Sequence, residues 1–464
     1  MTKTMQATRY QADPAILTLG SAFYDLVRPA VFPSAITRFR NDLWARAIGL
    51  GALSDAEWTA HFAGFEPLPD NLTEPLALRY HGHQFRVYNP EIGDGRGFLY
   101  AQIRDGDGRL LDLGTKGSGQ TPYSRFGDGR LTLKGGVREV LATEMLEALG
   151  VDTSKSFSLI ETGEALERND EPSPTRSAVL VRLQHSHIRI GTFQRLAYFG
   201  ERENLARLVD YCLTHYYGEE GGNDGPQRLL AHVAARTARL AASYIAAGFV
   251  HGVLNTDNIA ITGQSFDYGP WRWTPFWDRT FTAAYFDQAG LYAFGRQPEA
   301  IQWDLFQLAQ SLTLLAEPEG LNEPLQSFVP LFQAELEKAI LRRIGVKGRG
   351  TAHDRDLVRA IEQALVPQTV MIDRFFFDWR GGRRRGPSPA DAAYENAAFK
   401  ELSERLAAYE PDATLDDEYW SDADPCSMHI DEVEAIWERI DEQDDWSAFN
   451  EKIAMVRRMG KAMV

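Results

Sequence analysis

The stretch HGVLNTDNIAITGQSFDYGP, from His251 to Pro270, constrains the fold most, because it is polar and turn-rich yet stands between amphipathic runs at 226–248 and 297–317. In those runs, and in others near 202–217 and 321–345, apolar residues recur three and four apart, the spacing of helices with one buried face. The insert reads as loop, short strand, loop, carried by a helical scaffold. Upstream the pattern changes. GFLYAQIRD and RLLDLGTK, within 97–116, read as two strands joined by the Asp-Gly-Asp-Gly turn at 105–108. A helix from about Gly136 to Leu149, stopped by Gly150, comes next, followed by strands at 156–163 and 177–184. Residues 34–65 read as helical, with a Ser/Asp start before the second run, and form an N-terminal cap.

A small sheet-rich lobe followed by a helical lobe that carries a polar loop is the layout of a protein-kinase-like fold of the α+β class. The expected divisions are an N-terminal helical extension over 1–80, a sheet-rich N-lobe over 81–192, a helical C-lobe over 193–380 and an acidic helical tail over 381–464. The stretch RGGRRRGPSP at 380–389 reads as the exposed connection to that tail. A chain of 464 residues is too long for one hydrophobic core, which agrees with two lobes.

Charge and cysteines narrow the function classes. Residues 401–450 hold 17 Asp or Glu against 2 Arg, so almost all of the net charge of -16 sits there and the rest of the chain is nearly balanced. Between Arg86 and Glu139 there are 9 Arg or Lys against 7 Asp or Glu, which allows a locally positive cleft in an acidic protein. Nucleic acid is not an expected partner. Neither a secretory leader nor an apolar run of membrane-spanning length is present, so no membrane association is expected. The two cysteines, Cys212 and Cys426, lack metal or disulfide spacing, and a reducing cytoplasmic compartment is expected.

Four constellations carry chemistry. The first is GDGRG at 93–97, where glycines would let backbone amides approach phosphate oxygens and Arg96 adds charge; a plain hairpin turn is the competing reading. Lys116 ends a strand and Glu139 lies early in the next helix, the pairing by which a kinase fold aims its phosphate-binding lysine; a surface lysine and a solvated glutamate are the alternative. Arg182, directly after the apolar AVLV, and Arg189 are costly to bury unless each meets an anion, either a ligand or a structural carboxylate. His185, His187 and His251 lack a helical metal-binding spacing and read as solvated or hydrogen-bonded.

The fourth constellation is the insert itself. Asp257, Asn258 and Asp267 supply oxygen ligands suited to Mg²⁺ or Mn²⁺ and a base on adjacent loops, although an Asn/Asp-rich turn is also possible. Counted from His251 against the kinase pattern, the base position holds Val253, Asn258 falls at the metal-binding Asn, and Asp267 heads DYG. Asp257 is then the neighbouring carboxylate able to deprotonate a hydroxyl.

Together these blocks resemble the selenoprotein O (SelO) family of protein adenylyltransferases. The resemblance runs from about residue 15 to 345, through HGHQF, PEIGDGR, DLGTKGSGQTPYSRFGDGR, GGVRE, RLQHSHIRIGTFQ, GFVHGVLNTDNIAITGQSFDYGP and YAFGRQP. It implies a kinase-like fold in which ATP lies flipped, so that a protein hydroxyl attacks the α-phosphorus and pyrophosphate leaves. Carried over by position, Gly93, Gly95, Arg96, Lys116, Asp128, Gly129, Arg182 and Arg189 contact nucleotide, Asn258 and Asp267 hold the metal, Glu139 pairs with Lys116, and Asp257 is the base. The implied partners are ATP and proteins with accessible hydroxyls, redox proteins among them, and a bacterial source is expected. The chain ends RRMGKAMV, without the selenocysteine or cysteine that many members carry there; redox control through a tail disulfide is not expected, and Cys426 is the tail's one cysteine. Two rivals stand beside this reading, a kinase transferring the γ-phosphoryl group and a pseudokinase that binds ATP only as a scaffold.

Overall fold

The computed structural model describes residues 9–169 and 171–463. Its first lobe is an antiparallel sheet with spatial order Tyr24–Leu26, Leu76–Leu78, Leu99–Arg104, Leu110–Lys116, Thr175–Gln184, Lys155–Leu166 and Ile36–Arg40, plus the short Leu131–Thr132 strand on Thr175–Gln184. The expected hairpin is present. Asp105 Oδ1 accepts the backbone N–H groups of Asp107 and Arg109 at 3.0 and 2.9 Å, which closes the turn.

The Leu110–Lys116 strand is buried along its whole length because both faces are covered. Leu111 and Leu113 join a cluster with Trp58, Phe62 and Phe157, while Leu110 packs in the core around the Leu133–Ala148 helix. Alternation therefore sends Asp112, Gly114 and Lys116 to one face, where Asp112 meets His187 and Lys116 meets Glu139. In register, Leu180 lies opposite Lys116 and Arg182 opposite Gly114, so Lys116 and Arg182 share that face. The Leu133–Ala148 helix starts earlier than its apolar spacing suggested, because Thr132 Oγ1 caps it by accepting from Gly135 N–H at 3.1 Å.

The second lobe contains the helices Arg202–Cys212, Gly225–Ala247, Gln297–Leu312 and Pro318–Ile344. One continuous apolar cluster joins Leu141 and Met145 of the first lobe to Leu230, Val233, Leu305 and Leu308 of the second. The polar insert lies on this scaffold with a 3-10 turn at Thr256–Asn258. Its expected short strand reduces to two isolated bridges, Ala260 with Arg189 and Ser265 with Thr153. The arrangement is a protein-kinase-like, two-lobed α+β fold.

Three expectations change. Residues 34–65 are not helical throughout: Ile36–Arg40 is an edge strand on Lys155–Leu166, and only Asp42–Ala47 and Asp55–Phe62 are helices. Because Tyr24–Leu26 also pairs with Leu76–Leu78, the stretch 1–80 supplies sheet strands as well as helices. The stretch 380–389 begins buried, with Arg380 Nη1 donating to the carbonyls of Arg342 and Arg343 at 2.6 and 2.9 Å; exposure starts only at Arg383.

The acidic tail is docked on the first lobe. Its Ser447–Ala462 helix lies on the Leu133–Ala148 helix, and Arg457 forks onto Glu144 with two bonds of 2.7 Å. Glu434 meets Lys134 at 2.6 Å, and Asp444 meets Arg38 and Arg176 at 3.0 and 2.7 Å. Both cysteines are buried free thiols, and burial pushes Cys426 up to about 11, so neither presents a thiolate.

Arg457→Ala leaves the buried Glu144 carboxylate without its fork, and the expected loss is about 1–3 kcal/mol of stability in urea unfolding. Replacing both residues by Leu should cost less than the single change, since no unpaired charge is then left behind.

Candidate active site

Lys116, Glu139 and Asp267 come from a strand, a helix and a loop, and meet at one nitrogen. Lys116 Nζ is ion-paired with Glu139 Oε1 and, at 2.6 Å, with Asp267 Oδ1. Arg182 Nη1 approaches the same Asp267 oxygen at 3.4 Å. Burial by itself would push the Asp267 carboxyl up, but the charges of Lys116, Arg182 and Arg96 outweigh it and hold Asp267 well below the usual carboxylate range. The Asp267 backbone is left-handed, φ +62°, which turns the side chain toward these cations.

These groups open onto a cleft of about 730 Å³ between the lobes. Gly93, Gly95 and Arg96 line one side, Asp128 and Gly129 the far lip, and Lys116, Arg182, Arg189, Asp257 and Asp267 the inner wall. The glycines serve loop packing as well as access. A Cβ on Gly93 would sit 2.4 Å from the Tyr123 ring, so a side chain there would push the two lining loops apart. Gly129, at φ +70°, abuts the Gly119 backbone, where a Cβ would fall 2.2 Å from it.

Arg189 is a buried cross-link. Its Nη1 donates to the Asp257 carbonyl at 3.1 Å, its Nη2 meets Asp94 Oδ1 at 3.4 Å, and its guanidinium lies 4.2 Å over the Tyr80 ring. Asp94 in turn accepts Leu78 N–H at 3.0 Å, so the glycine-rich loop, the sheet and the Asp257 backbone are joined through one arginine. Arg182 keeps its buried Nε without a hydrogen-bond partner among the described residues, beside the cleft it lines. A phosphate oxygen would satisfy it.

Asp257 sits on the 3-10 turn, only 9% exposed, and its Oδ1 has no hydrogen-bond partner among the described residues. Burial pushes its carboxyl up to about 6, against the lowering charge of Arg189. The turn is pinned by the HGHQF hairpin: Thr256 Oγ1 accepts His83 N–H at 2.7 Å and donates to Gln194 Oε1 at 2.6 Å, while Asn255 Oδ1 accepts Phe85 N–H at 3.0 Å.

Two sequence-predicted residues stand differently. Asn258 is outside the cleft wall, with Nδ2 donating to the Val253 carbonyl at 3.0 Å, a bond that does not use its amide oxygen. Asp128 lines the lip but is engaged by Arg168 at 2.8 Å and by Arg130 N–H at 2.9 Å. The histidines are structural: His251 is buried with Nε2 on the Phe266 carbonyl at 2.9 Å, His187 is held by Asp112, and burial drives His185 down to about 4. No group of three or more His, Cys, Asp or Glu suited to a metal occurs among the described residues.

The sequence reading passed over Asp94 and Asp304. Asp304 is 1% exposed on the Gln297–Leu312 helix, neither of its carboxyl oxygens has a hydrogen-bond partner among the described residues, and burial, then the charge of Asp257, keeps it well above the usual range. Its position between Ile301 and Leu308, on the apolar stripe, was the available signal.

The family model described as protein adenylyltransferase SelO matches residues 6–457. A protein nucleotidyltransferase YdiU from Synechocystis sp. is 42% identical over 95% of this chain and 96% of its own length. Its counterpart from Gloeobacter violaceus is 43% identical, covering 96% and 95%. Among solved structures, a Toxoplasma gondii rhoptry antigen kinase domain aligns over 64% of this chain and 84% of its own at 11% identity and a TM-score of 0.28. No helix among the described residues is long and apolar enough to cross a membrane.

Ionised Asp257 costs folding free energy, because its folded value lies above the unfolded one near ~3.9. The penalty is absent below about pH 3, grows as pH rises through the unfolded value and is complete above about 7, where it reaches about 3 kcal/mol for a shift of this size. Asp257→Asn should therefore melt higher than the parent at pH 8 and at the same temperature near about pH 3, as read by scanning calorimetry.

Proposed function

We propose, from the premise that this chain belongs to the SelO family of protein adenylyltransferases, that Asp257 is the base of AMP transfer and that Lys116, Arg182 and Arg189 stabilise the phosphates. The protein is a nucleotidyltransferase that moves AMP from ATP onto protein hydroxyl groups and releases pyrophosphate. The assignment of roles rests on one observation above all: a buried carboxyl with a free oxygen, held near neutrality, on the same cleft wall as three cations.

In the reaction the hydroxyl oxygen forms a bond to the α-phosphorus and its proton passes to an oxygen of Asp257. The bond from the α-phosphorus to the β-bridging oxygen breaks and the electron pair leaves with pyrophosphate. Asp257 suits the first event, because a base held near 6 is ionised at neutral pH yet keeps useful proton affinity. Lys116, fixed in direction by Glu139, and Arg182, with its free Nε, suit the second, since positioning and charge neutralisation dominate such transfers. Gly93, Gly95, Arg96, Asp128 and Gly129 are placed to border the rest of the nucleotide.

Asp267 and Asn258 are the residues we assign to a divalent cation, Mg²⁺ or Mn²⁺. The donor chemistry fits: both ion pairs of Asp267 use Oδ1, its side chain stays 29% exposed beside the cleft, and the Asn258 amide oxygen is the donor its bond to Val253 leaves over. Two hard oxygens from the protein, completed by phosphates and water, are typical for Mg²⁺. Such an ion would neutralise charge on the phosphates.

Redox proteins are the substrates we would test first within the hydroxyl-bearing class, and the cytoplasm is the compartment we propose, on the two free thiols. The γ-phosphoryl kinase and the ATP-binding scaffold are not favoured. Val253 leaves the ordinary kinase base position empty of a proton acceptor, and a scaffold has no need of a free carboxyl held near 6.

Incubation with α-labelled ATP should leave label on protein and γ-labelled ATP should not; label from γ alone would overturn the reading. Transfer should fall about tenfold per pH unit below 6 as Asp257 takes up its proton. Asp257→Asn should lose transfer by about 10²-fold or more with nucleotide affinity retained, whereas Asp267→Ala should lose metal-dependent nucleotide binding in a thermal-shift titration.

A further inference from the structure

A second concave site lies away from the cleft, where the Gly225–Ala247 and Pro318–Ile344 helices face the turns at Gly150 and Gly263, and encloses about 360 Å³. Arg236, Arg239 and Ser243 are spaced i, i+3, i+7 on the first helix, and Glu335, Lys338 and Arg342 repeat that spacing on the second. Two basic stripes therefore face one another across a floor of Leu240 and Ala339.

The charges do not cancel. Lys338 is paired with Glu335 at 2.6 Å, and Asp152, the other carboxylate of the wall, accepts from Gln264 Nε2 at 2.9 Å. Arg236, Arg239 and Arg342 form no ion pair with a carboxylate among the described residues; Arg342 donates to the Gly150 carbonyl at 3.1 Å, and the repulsion it feels from Arg239 exceeds the attraction of Glu335. All three guanidinium groups are solvent-exposed, and three like charges gathered around one hollow, in a protein with a net charge of -16, make a locally positive patch that attracts anions. A separate observation points the same way. Thr262, on the wall and only 4% exposed, has a hydroxyl with no hydrogen-bond partner among the described residues. A buried hydroxyl left unsatisfied costs free energy that an acceptor oxygen would recover.

We propose that this hollow is a binding site for a small phosphate-bearing anion, held by Arg236, Arg239 and Arg342 with Thr262 donating to one of its oxygens. The volume suits a diphosphate or a sugar phosphate. No aromatic ring lines the wall, so the site has no platform for a nucleobase, and recognition is of the phosphates. The position also matters. Gly150 ends the helix that carries Glu139, and Thr262 lies five residues before Asp267, so a ligand here touches the far ends of both segments that orient Lys116.

The test is calorimetric titration of the full chain with inorganic pyrophosphate without divalent metal, repeated with ribose 5-phosphate and AMP. Lys116→Met weakens the cleft and leaves the hollow untouched, and this variant should keep one pyrophosphate site that the changes below remove. Adding Arg239→Ser and Arg342→Ser to it should weaken that site at least tenfold, and adding Thr262→Val alone, a change of shape too small to unfold the helices, should weaken it severalfold. In the Lys116→Met background AMP should bind no tighter than ribose 5-phosphate. Undiminished pyrophosphate binding in the arginine or threonine variants, no site in Lys116→Met, or a preference for AMP would each overturn the assignment.

Discussion

The meeting of Lys116 with Glu139 and Asp267 is the contact on which the site turns, because in it a strand, a helix and a loop that already share one apolar core place their charges on a single nitrogen. Lys116 is 5% and Glu139 1% exposed, and charges so far from water are tolerable only while each faces its partner. The pairing therefore fixes the helix against the sheet and the DYG loop against both. It also explains why an aspartate accepts a left-handed backbone at 267: the strain is offset by the two cations that its Oδ1 faces. On the reading proposed above, an arrangement held this tightly needs little reorganisation to align phosphates.

The same low-dielectric setting separates the carboxyls of the site. Asp267, beside Lys116, Arg182 and Arg96, is held as an anion at any ordinary pH, while Asp257, with Arg189 bonded mainly to its backbone, rises to about 6. One environment yields a permanent negative charge suited to a cation and the other a group able to take and return a proton. Asp304, deeper still and with no cation paired to it among the described residues, is pushed well above the usual carboxylate range by burial and by the charge of Asp257.

Much of this was legible in the sequence, and the limits have physical causes. Arg182 and Arg189 were readable because a charge that is costly to bury must find a partner, and Lys116, Glu139 and Asp267 from their places in the kinase pattern; all five are paired. Asn258 was read from spacing alone, and spacing does not say which way an amide points; its nitrogen is committed to Val253. The strand Ile36–Arg40 escaped because a half-exposed edge strand and the first turn of an amphipathic helix share the same mixture of apolar and charged residues. Asp304 escaped for the opposite reason, as a single acid within a strongly apolar helix leaves the periodicity intact.

The acidic tail shows why composition misleads at this scale. A local charge of -15 over residues 401–450 suggests a segment repelled from the protein and from itself. The folded chain instead matches part of it to cations on the back of the first lobe: Asp444 lies between Arg38 and Arg176, and Glu434 reaches Lys134 and Arg138. Those cations would otherwise draw anions to the wrong face of the sheet. By neutralising them, the tail leaves the cations of the cleft, Lys116, Arg182, Arg189 and Arg96, clustered on the opposite side of a molecule whose net charge is negative. The Ser447–Ala462 helix, forked to Glu144, meanwhile braces from behind the helix that holds Glu139. Electrostatics and packing thus work on one element, and the tail serves the cleft without touching it.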